Sequence, residues 1–185
     1  MSAFYLTFIA VLLSGIGSRE QATIAALTRR QGRRFGVLAT ALLVAVATCV
    51  LAALAGREML AILPVPARPV LAAIVVGLGG LELLFLSPRP APREPTHSLG
   101  ALAAVLTFQQ ATEAARFTLF GMVVGMAAPV TAGLGGGLGC LLLPLAAWTW
   151  PDLIGLPIMR VARRLVGAVL LVAALAVFLS FRGIL

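Results

Sequence analysis

The chain has 185 residues, of which 61% are hydrophobic and 11% are charged, and its mean hydropathy is +1.09. Too few polar residues remain to cover a water-soluble globule, so the composition excludes an ordinary soluble domain and predicts an all-α integral membrane protein. The net charge of +8 comes from arginine and favours contact with anionic lipid over nucleic-acid binding.

Six apolar runs, separated by Arg, Pro or Gly clusters, predict six transmembrane helices. In chain order we expect them at about residues 3–27, 36–54, 70–86, 99–126, 130–147 and 165–181. The first run has no basic residue before it, so we expect it to stay in the mature protein rather than be removed as a signal peptide.

The arginines predict the orientation of these helices. They concentrate in the first, third and fifth loops, at residues 29–34, 89–93 and 160–164, while the alternate loops carry fewer. By the positive-inside rule the Arg-rich loops face the cytoplasm and both termini are external. We expect the chain to lie in a bacterial inner membrane.

An internal repeat is visible on either side of a Pro-rich linker at residues 87–98. Residues 1–86 and 99–185 each hold three predicted helices, and short motifs recur between them at the same spacing: Leu63-Pro64 with Phe85-Leu86-Ser87, and Leu156-Pro157 with Phe178-Leu179-Ser180. Because each half has an odd number of helices, the halves are expected to insert in opposite orientations. Such inverted three-helix repeats are typical of secondary transporters, whose site lies at the repeat interface.

Four charged residues are predicted inside the membrane, Arg19 and Glu20 in the first helix and Glu113 and Arg116 in the fourth. Charges at this depth must pair or face water, so they should turn inward. The repeat predicts the cross-pairs Glu20 with Arg116 and Arg19 with Glu113, with pairing inside the fourth helix as the alternative. The nearby polar residues complete the candidate binding site: Ser18, Gln21, Gln109 and Thr112.

Other polar residues suggest less. Glu82 is expected to be reached by water or paired with Arg89, and His97 to be solvated. Cys49 and Cys140 fall inside predicted helices without the spacing of a disulfide framework or a zinc site.

The glycine-rich run at residues 133–139 lies within an apolar segment and does not match phosphate-loop or dinucleotide spacings. Gly135 and Gly139 have small-xxx-small spacing, which favours close helix packing.

The stretch at residues 12–27, LLSGIGSREQATIAAL, precedes an Arg cluster and a second helix. It resembles the manganese/calcium–proton exchanger family of the transmembrane protein 165 type. That family's motif reads Glu, apolar, Gly, Asp, Lys or Arg, Thr or Ser, once in each of two antiparallel three-helix halves. In the second half, residues 112–118 fall in the corresponding place. The resemblance implies a divergent member of this antiporter family with degenerate motifs.

The degeneracy concerns charge. Arg19 and Arg116 keep the basic position of each motif, but the four acidic positions hold uncharged residues, namely Gly15, Ser18, Thr112 and Ala115. Glu20 and Glu113, at other motif positions, are then the remaining candidate metal ligands. Each half holds one Glu and one Arg, so the site attracts a divalent cation less than the family's net negative site would.

Three functions remain open, in this order. The first is ion transport as a Mn- or Ca-like cation–proton antiporter, with divalent cation, protons and the lipid bilayer as partners and Glu20 as the proton carrier. The second is transport of an anionic or zwitterionic molecule bound by Arg19 and Arg116. The third is a non-transporting membrane subunit with a structural ion-pair cluster. No set of nucleophile, base and orienting group predicts an enzyme, and no cofactor is predicted.

Overall fold

A computed structural model of the chain describes residues 2–86 and 97–181. Within these ranges the regular elements are all helices: α1 Ser2–Gly15, α2 Arg19–Gln31, α3 Phe35–Ile62, α4 Ala67–Phe85, α5 Leu99–Ala111, α6 Ala114–Met126, α7 Pro129–Thr149, α8 Pro151–Ile154 and α9 Pro157–Phe181. Some positions used in the sequence analysis lie outside the described residues, namely Arg89, Arg93, Arg182 and residues 87–96 of the predicted linker.

Four helices, α3, α4, α7 and α9, are long and apolar enough to cross a membrane. The pair α1 and α2 passes the same test together but is bent by 60°, which makes five spans if the pair is one span. The apolar helices α5 and α6 are shorter. An all-helical architecture compatible with a membrane is therefore confirmed for the described residues, while six spans stay a prediction.

The first and fourth predicted helices are not continuous, and each is interrupted beside its charged residues. At the α1–α2 break (residues 16–18), Gly17 has a φ of +66° and Ser18 caps α2 by accepting a 3.2 Å hydrogen bond from the Gln21 N–H. At the α5–α6 break, Thr112 ends α5 and Glu113 is the N-cap of α6. Each break leaves backbone N–H and C=O groups without helical partners, and buried charges can bind them.

Two helix boundaries differ from those predicted. Helix α3 runs to Ile62 rather than 54, and α9 begins at Pro157 rather than 165, because proline is well suited to the first turn of a helix. Arg57 therefore belongs to α3. The arginines assigned to the fifth loop, at residues 160–164, belong to the first turns of α9.

The two halves of the chain interleave. Helix α1 packs on α6 and α7 of the second half, α4 packs on α6 and α9, and α3 contacts α5, α6 and α7. One buried apolar cluster includes Val11, Cys49 and Leu119, and a second includes Ile24 and Leu106. The α1–α2 break separates Val11 of the first cluster from Ile24 of the second. The α5–α6 break separates Leu106 of the second cluster from Leu119 of the first.

The predicted close packing of Gly135 and Gly139 is confirmed. A Cβ atom at Gly135 would collide with the backbone carbonyl of Phe4, and one at Gly139 would lie 3.2 Å from the carbonyl of Phe8. These two glycines let the backbones of α7 and α1 approach closely.

Arginines in the last turn of α2 and just after it join separate segments at one end of the bundle. Arg29 donates to the Pro151 carbonyl at 2.8 Å, and Arg33 donates to the Thr149 carbonyl at 2.8 Å. Arg34 lies 3.1 Å from a ring nitrogen of His97, which is exposed but has this charged neighbour.

Candidate functional site

The two helix breaks meet inside the bundle, and each presents its charges to the other. The Glu20 N–H, in the first turn of α2, donates to the Glu113 carboxylate at 2.8 Å. In return, the Glu20 carboxylate lies 3.5 Å from the Arg116 guanidinium, in the first turn of α6. Glu20, Glu113 and Arg116 are all almost fully buried. The predicted cross-pair of Glu20 with Arg116 is therefore present.

Thr48 of α3 connects the Arg116 side chain to Gln110 of α5 through its hydroxyl group. Arg116 Nε donates to the Thr48 hydroxyl at 3.2 Å, and that hydroxyl donates to Gln110 Oε1 at 2.8 Å. Thr48 and Gln110 are both buried, and sequence reasoning missed both. The Gln109-Gln110 pair in an apolar run is the sequence feature that indicates a buried polar group at Gln110. Thr48 has no charged neighbour in the sequence, so no comparable feature indicates its contact with Arg116.

The second predicted cross-pair, Arg19 with Glu113, is replaced by other contacts. Arg19 Nη2 donates to the Thr112 carbonyl at 2.7 Å and to its hydroxyl at 2.9 Å, while Nε lies 3.6 Å from the Glu82 carboxylate. The Glu113 carboxylate is instead used at the N-terminus of α2, through the N–H of Glu20. Backbone groups released by the breaks therefore compete with ion pairing, which a sequence pattern cannot show.

Glu82 is a member of the site that the sequence analysis placed elsewhere. It is buried, and its carboxylate accepts a 2.6 Å contact from Arg163 Nη2. Arg163 also donates to the carbonyls of Gly17 at 3.2 Å and Leu86 at 3.1 Å. The predicted partner Arg89 lies outside the described residues. The pair Leu156-Pro157 is the sequence feature that predicts this contact, because proline favours the first turn of a helix. A helix that begins at Pro157 places Arg163 inside the bundle rather than in a loop.

Helix ends account for three of these charges. Arg19 binds the carbonyl end of α5, Arg163 binds carbonyls at the ends of α1 and α4, and Glu113 binds the amide end of α2. A cation at a C-terminus and an anion at an N-terminus match the helix dipole. The Glu82 carboxylate lies beside both of these arginines, 3.6 Å from Arg19 and 2.6 Å from Arg163. Helix capping therefore explains part of the cluster without any ligand.

The pair of Glu20 and Arg116 is not explained in this way. Glu20 Oε2 and Arg116 Nη2 face each other at 3.5 Å, while the second carboxylate oxygen of Glu20 and the other terminal nitrogen of Arg116 are buried without a hydrogen bond to the described residues. Glu113 Oε2 and Gln110 Nε2 are in the same condition. A buried polar group without a hydrogen bond costs about 1–3 kcal/mol, and more if it is charged. These atoms are the ones available to a proton, water or substrate.

The remaining predicted site residues hold the breaks in place. Gln21 accepts from the Gly17 N–H at 2.8 Å and donates to the Leu143 carbonyl at 3.0 Å. Gln109 bonds Thr23 at 3.0 Å, and this links α5 to α2. Ser18 is the N-cap of α2, as described above. The polar atoms of these side chains are engaged at the breaks and between α2, α5 and α7.

The metal-ligand hypothesis for Glu20 and Glu113 rests on two carboxylates. Within residues 2–86 and 97–181, the structure has no group of three or more His, Cys, Asp or Glu side chains that could hold a metal ion. Cys49 and Cys140 are free thiols, buried in the cluster that also holds Leu119. Metal binding by Glu20 and Glu113 stays a prediction.

Comparison with known proteins identifies no relative of this chain, since no protein-family model, no curated protein and no solved structure matches it.

Proposed function

We propose that this chain is a proton-coupled membrane transporter whose substrate binds beside the Glu20–Arg116 pair. The observation that carries the proposal is a fully buried ion pair in which Glu20 Oε1 and Arg116 Nη1 have no hydrogen-bond partner among the described residues. Burying an ion pair is often no more stabilising than packing apolar side chains of similar volume. Glu20 in the first turn of α2 suits the helix dipole, but Arg116 in the first turn of α6 opposes it. A buried pair that stabilises little and places a cation there is better explained by function than by folding.

The arrangement of helices supports transport. Discontinuous helices whose ends face the bundle interior form the substrate and ion sites of many secondary transporters. In the first half two short helices, α1 and α2, flank a break and are followed by the longer α3 and α4. The second half repeats this order with α5 and α6 and then α7 and α9, between which lies the four-residue α8. We propose that each broken pair is one span, which gives six spans in two inverted halves, in a bacterial inner membrane with both termini external.

Cation exchange is the first candidate activity. The unbonded oxygens of Glu20 and Glu113 are hard ligands of the kind that Mn²⁺ and Ca²⁺ use, and they would also accept a proton. Competition of proton and cation for the same carboxylates gives obligatory exchange. The resemblance of residues 12–27 to the manganese/calcium–proton exchanger family supports the same activity.

A second candidate follows from the unbonded nitrogens of Arg116. Guanidinium groups bind carboxylates and phosphates through paired N–H donors, and Glu20 beside Arg116 would complement the amino group of a zwitterion. The substrate would then be an anionic or zwitterionic small molecule.

Flux measurements distinguish these functions. The purified chain in liposomes with an imposed pH gradient should move one member of a panel containing Mn²⁺, Ca²⁺, monovalent cations, small anions and zwitterions. Movement of a cation supports the first candidate, and movement of an anion or zwitterion supports the second. No movement of any of them contradicts the proposal and leaves the cluster with a structural role.

A further inference from the structure

A groove of about 510 Å³ lies between α3 and α7, apart from the charged cluster. Its lining is apolar except at one end, where it includes the exposed Arg57. Both flanking helices are candidate membrane spans, and Val50 and Leu134 on the groove walls are 50% and 63% exposed. If these helices cross a bilayer, the groove opens to lipid.

Missing side chains on α7 create the groove. Gly135 and Gly139 are used against α1, as described above, whereas Gly133 and Gly137 line the groove. A Cβ atom at Gly137 would meet nothing within 4 Å. Close helix packing therefore explains one pair of glycines on α7 and does not explain Gly137.

The length and volume of the groove indicate what kind of molecule it binds. It follows α3 from Val46 to Arg57, a rise of about 16 Å, which is half of the roughly 30 Å hydrocarbon core of a bilayer. The groove volume of about 510 Å³ is well below that of a helix of the same length with side chains, which is about 10–12 Å in diameter, so a helix of a second copy would cover the groove without filling it. A single hydrocarbon chain spanning one leaflet matches its length.

The positive charge of Arg57 at the end of the groove indicates which lipid headgroup binds there. Cys49 and Cys140 share a buried cluster, and Gly133 lies opposite Ala53, with 3.4 Å between a Cβ built on the glycine and the alanine Cβ. Higher residue numbers on α3 thus face lower numbers on α7, so the two helices run antiparallel along the groove. Arg57 is consequently next to the start of α7 at Pro129. In the proposed orientation Arg57 lies at the external leaflet, and an arginine at the end of a leaflet-long apolar groove is placed to bind a lipid phosphate there. We propose that the groove binds one acyl chain of an anionic phospholipid whose headgroup lies at Arg57.

Native mass spectrometry tests this site. The chain is extracted from vesicles of equal parts phosphatidylglycerol and phosphatidylcholine with the same acyl chains. We expect one phosphatidylglycerol to stay bound per wild-type chain. Gly137→Leu, which fills open space, should reduce the bound fraction about tenfold or more because the displaced chain loses methylene contacts. Ala55→Leu, which adds the same side chain at an exposed position of α3 outside the groove, should retain the lipid.

The headgroup is tested by a second pair of variants. Arg57→Gln should bind the two lipids equally, while Arg57→Lys should keep the preference for phosphatidylglycerol. Each variant must elute as a single species with the unfolding temperature of the wild type. Equal lipid retention by the wild type and Gly137→Leu overturns the proposal, as does an unchanged preference in Arg57→Gln. A wild-type dimer that Gly137→Leu dissociates would also overturn it, by showing that a second copy occupies the groove.

Discussion

The Glu113 carboxylate accepts the Glu20 N–H at 2.8 Å, so the N-cap residue of α6 also closes the N-terminus of α2. One carboxylate thereby joins the two helix breaks. This contact crosses the two halves of the chain and holds Glu20 beside Arg116. It makes the geometry of the candidate site depend on a residue that need not itself carry a proton.

Glu113→Ala should destabilise the fold by about 1–3 kcal/mol, because the buried N–H of Glu20 loses its acceptor. Glu113→Gln should lose less, since its amide oxygen can still accept that hydrogen bond. Unfolding in detergent, followed by circular dichroism, measures both. Glu58→Gln on the exposed end of α3 is the matched control and should match the wild type. Equal losses in Glu113→Ala and Glu113→Gln would contradict the capping role.

Glu20 and Arg116 should be energetically coupled. Removing either charge leaves the other buried without its partner, which typically costs about 3–5 kcal/mol. The double variant Glu20→Gln with Arg116→Gln should therefore recover about 1 kcal/mol or more relative to the sum of the single variants. The corresponding cycle for Arg19 and Glu113 should be close to additive, because each has other partners. Additivity at Glu20 and Arg116 would contradict the ion pair.

Arg163 should not be replaceable by lysine. Its guanidinium reaches the Glu82 carboxylate and the carbonyls of Gly17 and Leu86, whereas a lysine ammonium is a single compact donor centre. Arg163→Lys and Arg163→Gln should both lower the unfolding temperature and increase amide exchange near the α1–α2 break. Arg164→Lys, at the exposed neighbouring position, is the control. Wild-type exchange in Arg163→Lys would show that charge alone suffices.

Topology follows from the arginine distribution. A reporter inserted after Arg34 should be cytoplasmic, and one at the C-terminus should be external. Detection of both reporters on the same side of the membrane would contradict the orientation and the inverted repeat.

The sequence predicted the helical class and much of the candidate site, because apolar runs and buried charges leave strong signals in composition. It also located the Glu20–Arg116 pair. It missed the helix breaks, although Ser18 stands three residues before Gln21 in the pattern of a capping box and accepts the N–H of Gln21 locally. Glu113 gives no such local sign, because its carboxylate accepts the distant N–H of Glu20. Glu82 was misassigned because its partner Arg163 was placed in a loop, and the position of that arginine depended on where α9 begins. Arg19 pairs with Glu82 rather than Glu113 for a related reason, since helix ends compete for the same charges.

The most direct test of transport at the Glu20–Arg116 pair is flux through Glu20→Gln in liposomes. Glu20 is the expected proton carrier because both of its carboxylate oxygens lack hydrogen bonds to the described residues, whereas one oxygen of Glu113 is engaged at the end of α2. With a substrate found for the wild type, the fraction of Glu20→Gln that folds despite the lost ion pair should show no pH-gradient-driven movement, Glu20→Asp should retain part of it, and Glu58→Gln should be unaffected. Full pH-driven transport by folded Glu20→Gln would contradict the account.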